Sequence, residues 1–158
     1  MEGLAERAGV SKALPYQHFD NATAVLVALY HREIDLLGRR VAGAVHGIVD
    51  PGARVEAAVR AYFDAVAARG RVLGAVTSGP DVAAAAGQTG TALTFVSALL
   101  IKPFGFRGRQ ATALASMLLG TLSGATESWA RHDLPREDIE AATSAVIIGG
   151  LRGAEALH

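Results

Sequence analysis

Several side chains that can donate hydrogen bonds stand close together in the stretch AGVSKALPYQHF, near the start of the chain. They are Ser11, Lys12, Tyr16, Gln17 and His18. An ammonium group, a phenol and an imidazole N–H are good donors to an oxyanion such as a phosphate, and a glutamine amide can pair with a base edge. This chemistry requires one short element that presents all of these donors together.

Two short helices are expected to position these side chains. The residues EGLAERAG predict a first helix that ends at Gly9, because glycine readily takes the left-handed conformation that closes a helix. Ser11 is the expected N-cap of a second helix, in which Pro15 is the fourth residue and faces inward. Two short helices joined by a glycine-containing turn predict a helix-turn-helix, whose second helix fits the major groove of DNA.

Individual contacts follow from this geometry. Lys12, at the start of the second helix, can meet a phosphate or a guanine edge, and Gln17 can read adenine. Tyr16 and His18 suit phosphates; alternatively, Tyr16 packs inside the head and His18 is only a solvated surface residue. The apolar members of the set suit a thymine methyl group. The predicted DNA-contacting residues are Ser11, Lys12, Ala13, Leu14, Tyr16, Gln17 and His18.

Helical periodicity continues through the rest of the chain. Asn21 is the expected N-cap of a long amphipathic helix that stops at Asp50-Pro51-Gly52. A further helix is expected from about Ala53 to Arg69, ended by Gly70. KPFGFRG predicts a break before a helix through Trp129, and the last helix is expected to run from Pro135 to about Leu151. No useful strand alternation occurs, so the predicted fold class is all-α.

Composition limits the function classes. Hydrophobic residues make up 51% of the 158 residues, and 15 Lys and Arg balance 15 Asp and Glu. The chain can therefore form a real core, but a charged partner must be contacted locally. The absence of cysteine excludes disulfides and thiolate metal sites. Without a metal-ligand cluster, a phosphate loop or an acid–base pair, the sequence predicts no metal, no cofactor and no enzyme activity.

The segment VAAAAGQTGTALTFVSALLI is uncharged and long enough to cross a bilayer. Its first half consists mostly of Ala, Gly, Gln and Thr, which insert poorly into a membrane. A buried helix is therefore the favoured interpretation, and no membrane partner is expected.

The run LAERAGVSKALPYQHFDNATAVLVAL resembles the DNA-binding head of the TetR family of transcriptional regulators. The resemblance rests on an apolar-Ala pair, on Ala-Gly-Val-Ser, and on a Tyr, His and Phe that follow. The matching residues are Leu4, Ala5, Ala8, Gly9, Val10, Ser11, Tyr16, His18 and Phe19.

This resemblance implies a cytoplasmic, ligand-responsive regulator, typically a repressor, that binds a palindromic operator in double-stranded DNA as a homodimer. Residues 1–24 would form the helix-turn-helix head and residues 25–158 the ligand-binding and dimerisation body. Family members carry one more helix ahead of this head, so the head within these residues is expected to be incomplete. The alternative is a truncated relative that binds only a small molecule or a partner protein.

Aromatic and long apolar side chains of the body predict a cavity for a small hydrophobic effector. The alternative is that these side chains only fill the core. The predicted ligand-binding residues are Tyr62, Phe63, Phe95, Leu99, Phe104, Met117 and Thr121.

Paired glycines on the last two long helices predict surfaces where another backbone can approach closely. An interior glycine costs about 1 kcal/mol of helix stability relative to alanine, which close packing would offset. The resemblance implies a four-helix dimer interface, and packing within one subunit is the alternative. The predicted interface residues are Gly120, Gly124, Trp129, Val146, Gly149 and Gly153.

Overall fold

The computed structural model describes residues 2–77 and 88–157, and every regular element in those ranges is helical. The all-α prediction is confirmed. The residues SGP at 78–80, whose glycine and proline predict a break in the chain, and the first part of the uncharged segment, 82–87, lie outside these ranges. The helices are α1 (Glu2–Ala8), α2 (Ala13–His18), α3 (Ala22–Val45), α4 (Pro51–Thr77), α5 (Gln88–Val96), α6 (Gly108–His132) and α7 (Arg136–Glu155), with a π-helical turn at Ser97–Ile101 and a 3₁₀ turn at Lys102–Phe104 between α5 and α6.

The turn between α1 and α2 closes as the sequence predicts. Gly9 has a φ of +65°, in the left-handed region. Its amide donates to the carbonyl of Glu6 at 3.2 Å, and the amide of Val10 donates to that of Ala5 at 3.1 Å. This pair of bonds is a Schellman motif, which satisfies two carbonyls at the end of α1.

Pro15 faces inward and is buried, as predicted, but the start of α2 differs from the prediction. Lys12 occupies the N-cap position with helical backbone angles, and no side chain caps the helix. The carbonyl of Ser11 accepts the amide of Leu14 at 3.1 Å. The prediction that the Ser11 hydroxyl caps α2 is therefore wrong, because a tight backbone turn closes the helix start instead.

Asn21 caps α3 as predicted, since its side-chain oxygen accepts the amide of Ala24 at 2.9 Å. The prediction for the end of α3 is wrong, because the helix ends at Val45. Asp50 instead caps the next helix by accepting the amide of Ala53 at 2.7 Å. Pro51 is the first residue of α4, a position where its missing N–H and fixed φ are compatible with a helix.

Gly70 does not end α4, which continues to Thr77. A single interior glycine weakens a helix by about 1 kcal/mol, which a long helix can absorb. α3 and α4 pack side by side, and α7 packs on α4 and α6. Together with the turns after α5, these helices enclose a common core. Its buried members are Val41, Val45, Val55, Ala58, Val59, Phe63, Leu100, Ile101, Phe104, Phe106, Ala111, Ala115, Leu118, Leu122, Ile139, Ile147 and Leu151.

The predicted break at KPFGFRG is confirmed, because the 3₁₀ turn and Gly105 separate the π-helical turn from α6. Arg54 of α4 fixes this region by donating to the carbonyl of Leu99 at 3.3 Å and to that of Ile48 at 2.9 Å. Leu100 and Ile101 are buried, so the described end of the uncharged segment lies in the core. No helix within residues 2–77 and 88–157 is long and apolar enough to cross a membrane.

Candidate nucleic-acid interface and ligand cavity

The outer face of α2 carries the predicted DNA-contacting side chains. Lys12, Tyr16, Gln17 and His18 are all exposed, and Tyr16 is 56% exposed. Tyr16 therefore does not pack inside the described part of the head, whereas the alternative that His18 is a solvated surface residue is compatible with its exposure. The remaining predicted residues, Ser11, Ala13 and Leu14, are exposed as well. α2 turns Pro15 toward the interior and leaves the whole predicted contact set free to meet a partner.

Lys12 already has an anionic neighbour on α1. Its ammonium nitrogen lies 3.5 Å from Oε1 of Glu2, and both side chains are largely exposed. Such a pair contributes less than about 1 kcal/mol and is screened by salt. Lys12 can therefore exchange Glu2 for a stronger anion at little cost.

A cavity of about 1210 Å³ lies between α3, α4, α5 and α6. Most of the described side chains that line it are aliphatic or aromatic. Tyr62 and Phe95, both predicted as ligand-binding residues, are among them. Phe95 also packs on α3, because a Cβ atom added at Gly38 would stand only 3.2 Å from the Phe95 ring. The glycine thus lets α5 approach α3 closely at the cavity wall.

The other predicted ligand-binding residues do not line this cavity. Phe63 and Phe104 are buried in the core, and Leu99 packs against that core. Met117 is 67% exposed, and the Thr121 hydroxyl donates to the Met117 carbonyl of its own helix at 3.0 Å. Phe63 and Phe104 therefore fill the core, as the alternative interpretation of these two residues predicted.

The residues of α6 that do face inward follow a different register. Leu118, Leu122 and Thr126 lie four residues apart and all line the cavity. Met117 and Thr121, one residue earlier in each turn, fall on the neighbouring face. The sequence prediction missed Thr126, although its place in the Leu118-Leu122 series was a signal that could have identified it.

Thr126 and Tyr62 join opposite walls of the cavity. The Tyr62 phenol oxygen lies 3.0 Å from the Thr126 hydroxyl. Burial raises the pKa of Tyr62 above its ordinary value. Tyr62 is therefore a neutral phenol at physiological pH.

A buried ion pair links α3 and α4 beside the cavity. Glu33 is 2% exposed, and its Oε1 accepts from the Arg69 guanidinium at 2.7 Å. The sequence prediction missed this pair because Glu33 and Arg69 are far apart in the chain. In the part of the chain that the structure describes, no three His, Asp or Glu side chains form a group that could hold a metal ion.

The predicted interface residues lie on the outer side of α6 and α7, with one exception. Gly120, Gly124, Gly149 and Gly153 are exposed, and a Cβ atom added at any of them would meet no atom of the described residues within 4 Å. Among the described residues, these glycines therefore do not serve close packing within one subunit, contrary to the alternative interpretation. Val146 is 61% exposed on the same helices. The exception, Trp129, is half-buried and packs edge-to-face on Phe63, with ring centroids 5.6 Å apart.

Comparison with known proteins gives partial similarity to DNA-binding regulators. No protein-family profile matches the chain. The chain is 41% identical over 64 residues to the helix-turn-helix (HTH)-type transcriptional activator FasR of Mycolicibacterium smegmatis; this stretch is 40% of the chain and 29% of that protein. It is 36% identical over 55 residues to an uncharacterized HTH-type transcriptional regulator of Mycobacterium tuberculosis, covering 35% of the chain and 27% of that protein. The chain is thus similar to HTH-type transcriptional regulators over about two fifths of its length.

Proposed function

We propose that this chain acts as a ligand-responsive transcriptional repressor of the TetR type, with a DNA-binding head at residues 1–24 and a ligand-binding, dimerising body at residues 25–158. The observation that carries the proposal is the outer face of α2, on which Lys12, Tyr16, Gln17 and His18 are exposed while Pro15 is buried. The similarity to HTH-type regulators supports the same assignment.

The arrangement of α3 supports ligand responsiveness. This helix begins at Ala22, three residues after Phe19, and its middle part lines the cavity from Tyr30 to Ala42. One rigid element therefore connects the head to the cavity wall. A ligand that moves this wall changes the position of α2, and DNA affinity changes with it.

The outer faces of α6 and α7 support a homodimer. Their exposed glycines and Val146 offer a surface on which two helices of a second copy can pack closely. An isologous four-helix interface has a two-fold axis, and a two-fold dimer places two copies of α2 on successive half-sites of a palindrome.

One observation favours the second candidate, a helical dimer that binds a small molecule but not DNA. Lys12 is paired with Glu2, and the acidic Glu6 and Asp20 lie in the same short head. The local electrostatic attraction for a polyanion is therefore modest.

Selection from a random DNA pool separates the two candidates. The whole reading frame that contains these residues is used to enrich duplexes over several rounds at low salt, and the pool is sequenced. The proposed regulator enriches a palindrome with half-sites spaced by one helical turn or a multiple of it. A pool without a symmetric motif, obtained with a dimeric protein, would contradict DNA recognition and favour the second candidate.

A further inference from the structure

Inside the mostly apolar cavity, one polar pair stands out. Tyr62 of α4 and Thr126 of α6 both line it and are both half-buried. Tyr30 of α3 adds a buried phenol to the lining, and the remaining polar side chains of the described lining are exposed. They are Asp35, Arg39, Ser116, Ser123 and Glu127.

The direction of the hydrogen bond between Tyr62 and Thr126 follows from counting protons. A threonine hydroxyl has one proton, and Thr126 donates it to the Leu122 carbonyl at 2.9 Å. Both hydrogen bonds can form at once only if the phenol donates its proton across the 3.0 Å contact and Thr126 accepts it. The Tyr62 oxygen makes no other hydrogen bond to the described residues, so its own acceptor capacity is unused.

An unused acceptor in an apolar cavity selects its ligand. A ligand group that can only accept would have to take the phenol proton away from Thr126, which breaks an existing hydrogen bond. A ligand hydroxyl or N–H can donate to the Tyr62 oxygen and leave that bond intact. Because burial raises the pKa of Tyr62, the phenol keeps its proton at neutral pH and this direction is maintained.

We propose that Tyr62 determines ligand specificity by accepting a hydrogen bond from an otherwise apolar, uncharged ligand that carries a hydroxyl or N–H group. The aliphatic and aromatic lining holds the rest of the ligand. This inference rests on the ligand-binding part of the proposed function and not on DNA recognition.

Two isomeric probes test it, n-nonanol and methyl octyl ether. They have the same atoms and nearly the same shape, but only the alcohol can donate a hydrogen bond. Binding is measured by titration calorimetry and by the fluorescence of Trp129, the single tryptophan, which packs on the Phe63 ring next to Tyr62. Their difference in hydrophobicity cancels when the ratio of their affinities is compared between protein variants.

The parent protein is expected to favour the alcohol, and Tyr62→Phe is expected to reduce the alcohol-to-ether ratio by about tenfold, the worth of one hydrogen bond. Thr126→Val keeps the side-chain shape but frees the phenol proton, so it should strengthen ether binding and also lower the ratio. Thr143→Val is the matched control, because the buried Thr143 hydroxyl donates to Ile139 away from the cavity. It should leave the ratio unchanged.

An unchanged ratio in Tyr62→Phe and Thr126→Val, or no binding of either probe to the parent protein, would overturn the proposal. Circular dichroism of each variant confirms that the helices are intact, and either folded cavity variant suffices for the comparison. DNA binding is measured on the same preparations. A parent protein that does not prefer the alcohol contradicts this inference, whereas failure of the parent protein to bind DNA contradicts only the regulator assignment.

Discussion

At the scale of single residues, Glu33 shows how a polar group can be kept in the interior. A carboxylate that is 2% exposed has lost nearly all its hydration, which is costly unless a cation replaces the water. Arg69 provides that cation at 2.7 Å and remains about one-third exposed. The pair therefore holds α3 against α4 through an interaction that depends on both partners.

Replacing Arg69 with Met should lower the free energy of unfolding by about 2 kcal/mol, because Glu33 would remain buried without its partner. Arg131→Met is the matched control, since Arg131 pairs with Glu127 one turn away on an exposed helix face. The control substitution should lower the free energy of unfolding by less than about 0.5 kcal/mol. Urea denaturation followed by circular dichroism measures both. An equal decrease in the free energy of unfolding in the two variants would show that the Glu33–Arg69 pair stabilises the protein no more than the exposed pair does.

At the scale of helices, local sequence signals predicted most of the fold. The periodicity of apolar residues and the break at KPFGFRG depend on near neighbours, so the helical class and this break were predictable. The ends of helices were less predictable, because the same residues can end one helix or begin the next. A proline after Asp50 can stop one helix or start the next, and the structure shows the second outcome.

The candidate site was only partly predictable, for a geometric reason. α2 is so short that its exposed and buried sides follow directly from Pro15, and the predicted surface is exposed. On the long helix α6, a shift of one residue changes the face by about 100°. Met117 was therefore predicted to face the cavity but lies outside it, while Thr126 was missed.

The exposed glycines of α6 and α7 give a prediction about these two helices. Gly124→Leu and Gly149→Leu should each yield a folded monomer, or a much weaker dimer, in sedimentation at micromolar concentration. At both glycines the first side-chain carbon fits, because an added Cβ atom would have no described atom within 4 Å. Gly43→Leu on α3, with the same free space, is the control that should stay dimeric. A parent protein that sediments as a monomer, or leucine variants that remain dimeric, would exclude this interface.

At the scale of the whole molecule, two features bear on function: the net charge, and the helix α3 that runs from the head to the cavity. The formal net charge is zero, so any attraction to DNA has to be local rather than the effect of a global field. α3 follows α2 in the chain, and its residues between Tyr30 and Ala42 line the cavity. Lys12 is the lysine on the proposed DNA-contacting surface of α2, so its contribution to DNA recognition can be measured directly.

The most direct test is the salt dependence of operator binding, measured by fluorescence anisotropy on the selected palindrome. If each Lys12 contacts a phosphate, Lys12→Ala should weaken binding and reduce the slope of log affinity against log salt by about one per bound subunit. The second lysine, Lys102, is exposed outside the head, and Lys102→Ala should change neither quantity. Equal affinity and equal slope for the parent protein and Lys12→Ala would contradict recognition of DNA through α2.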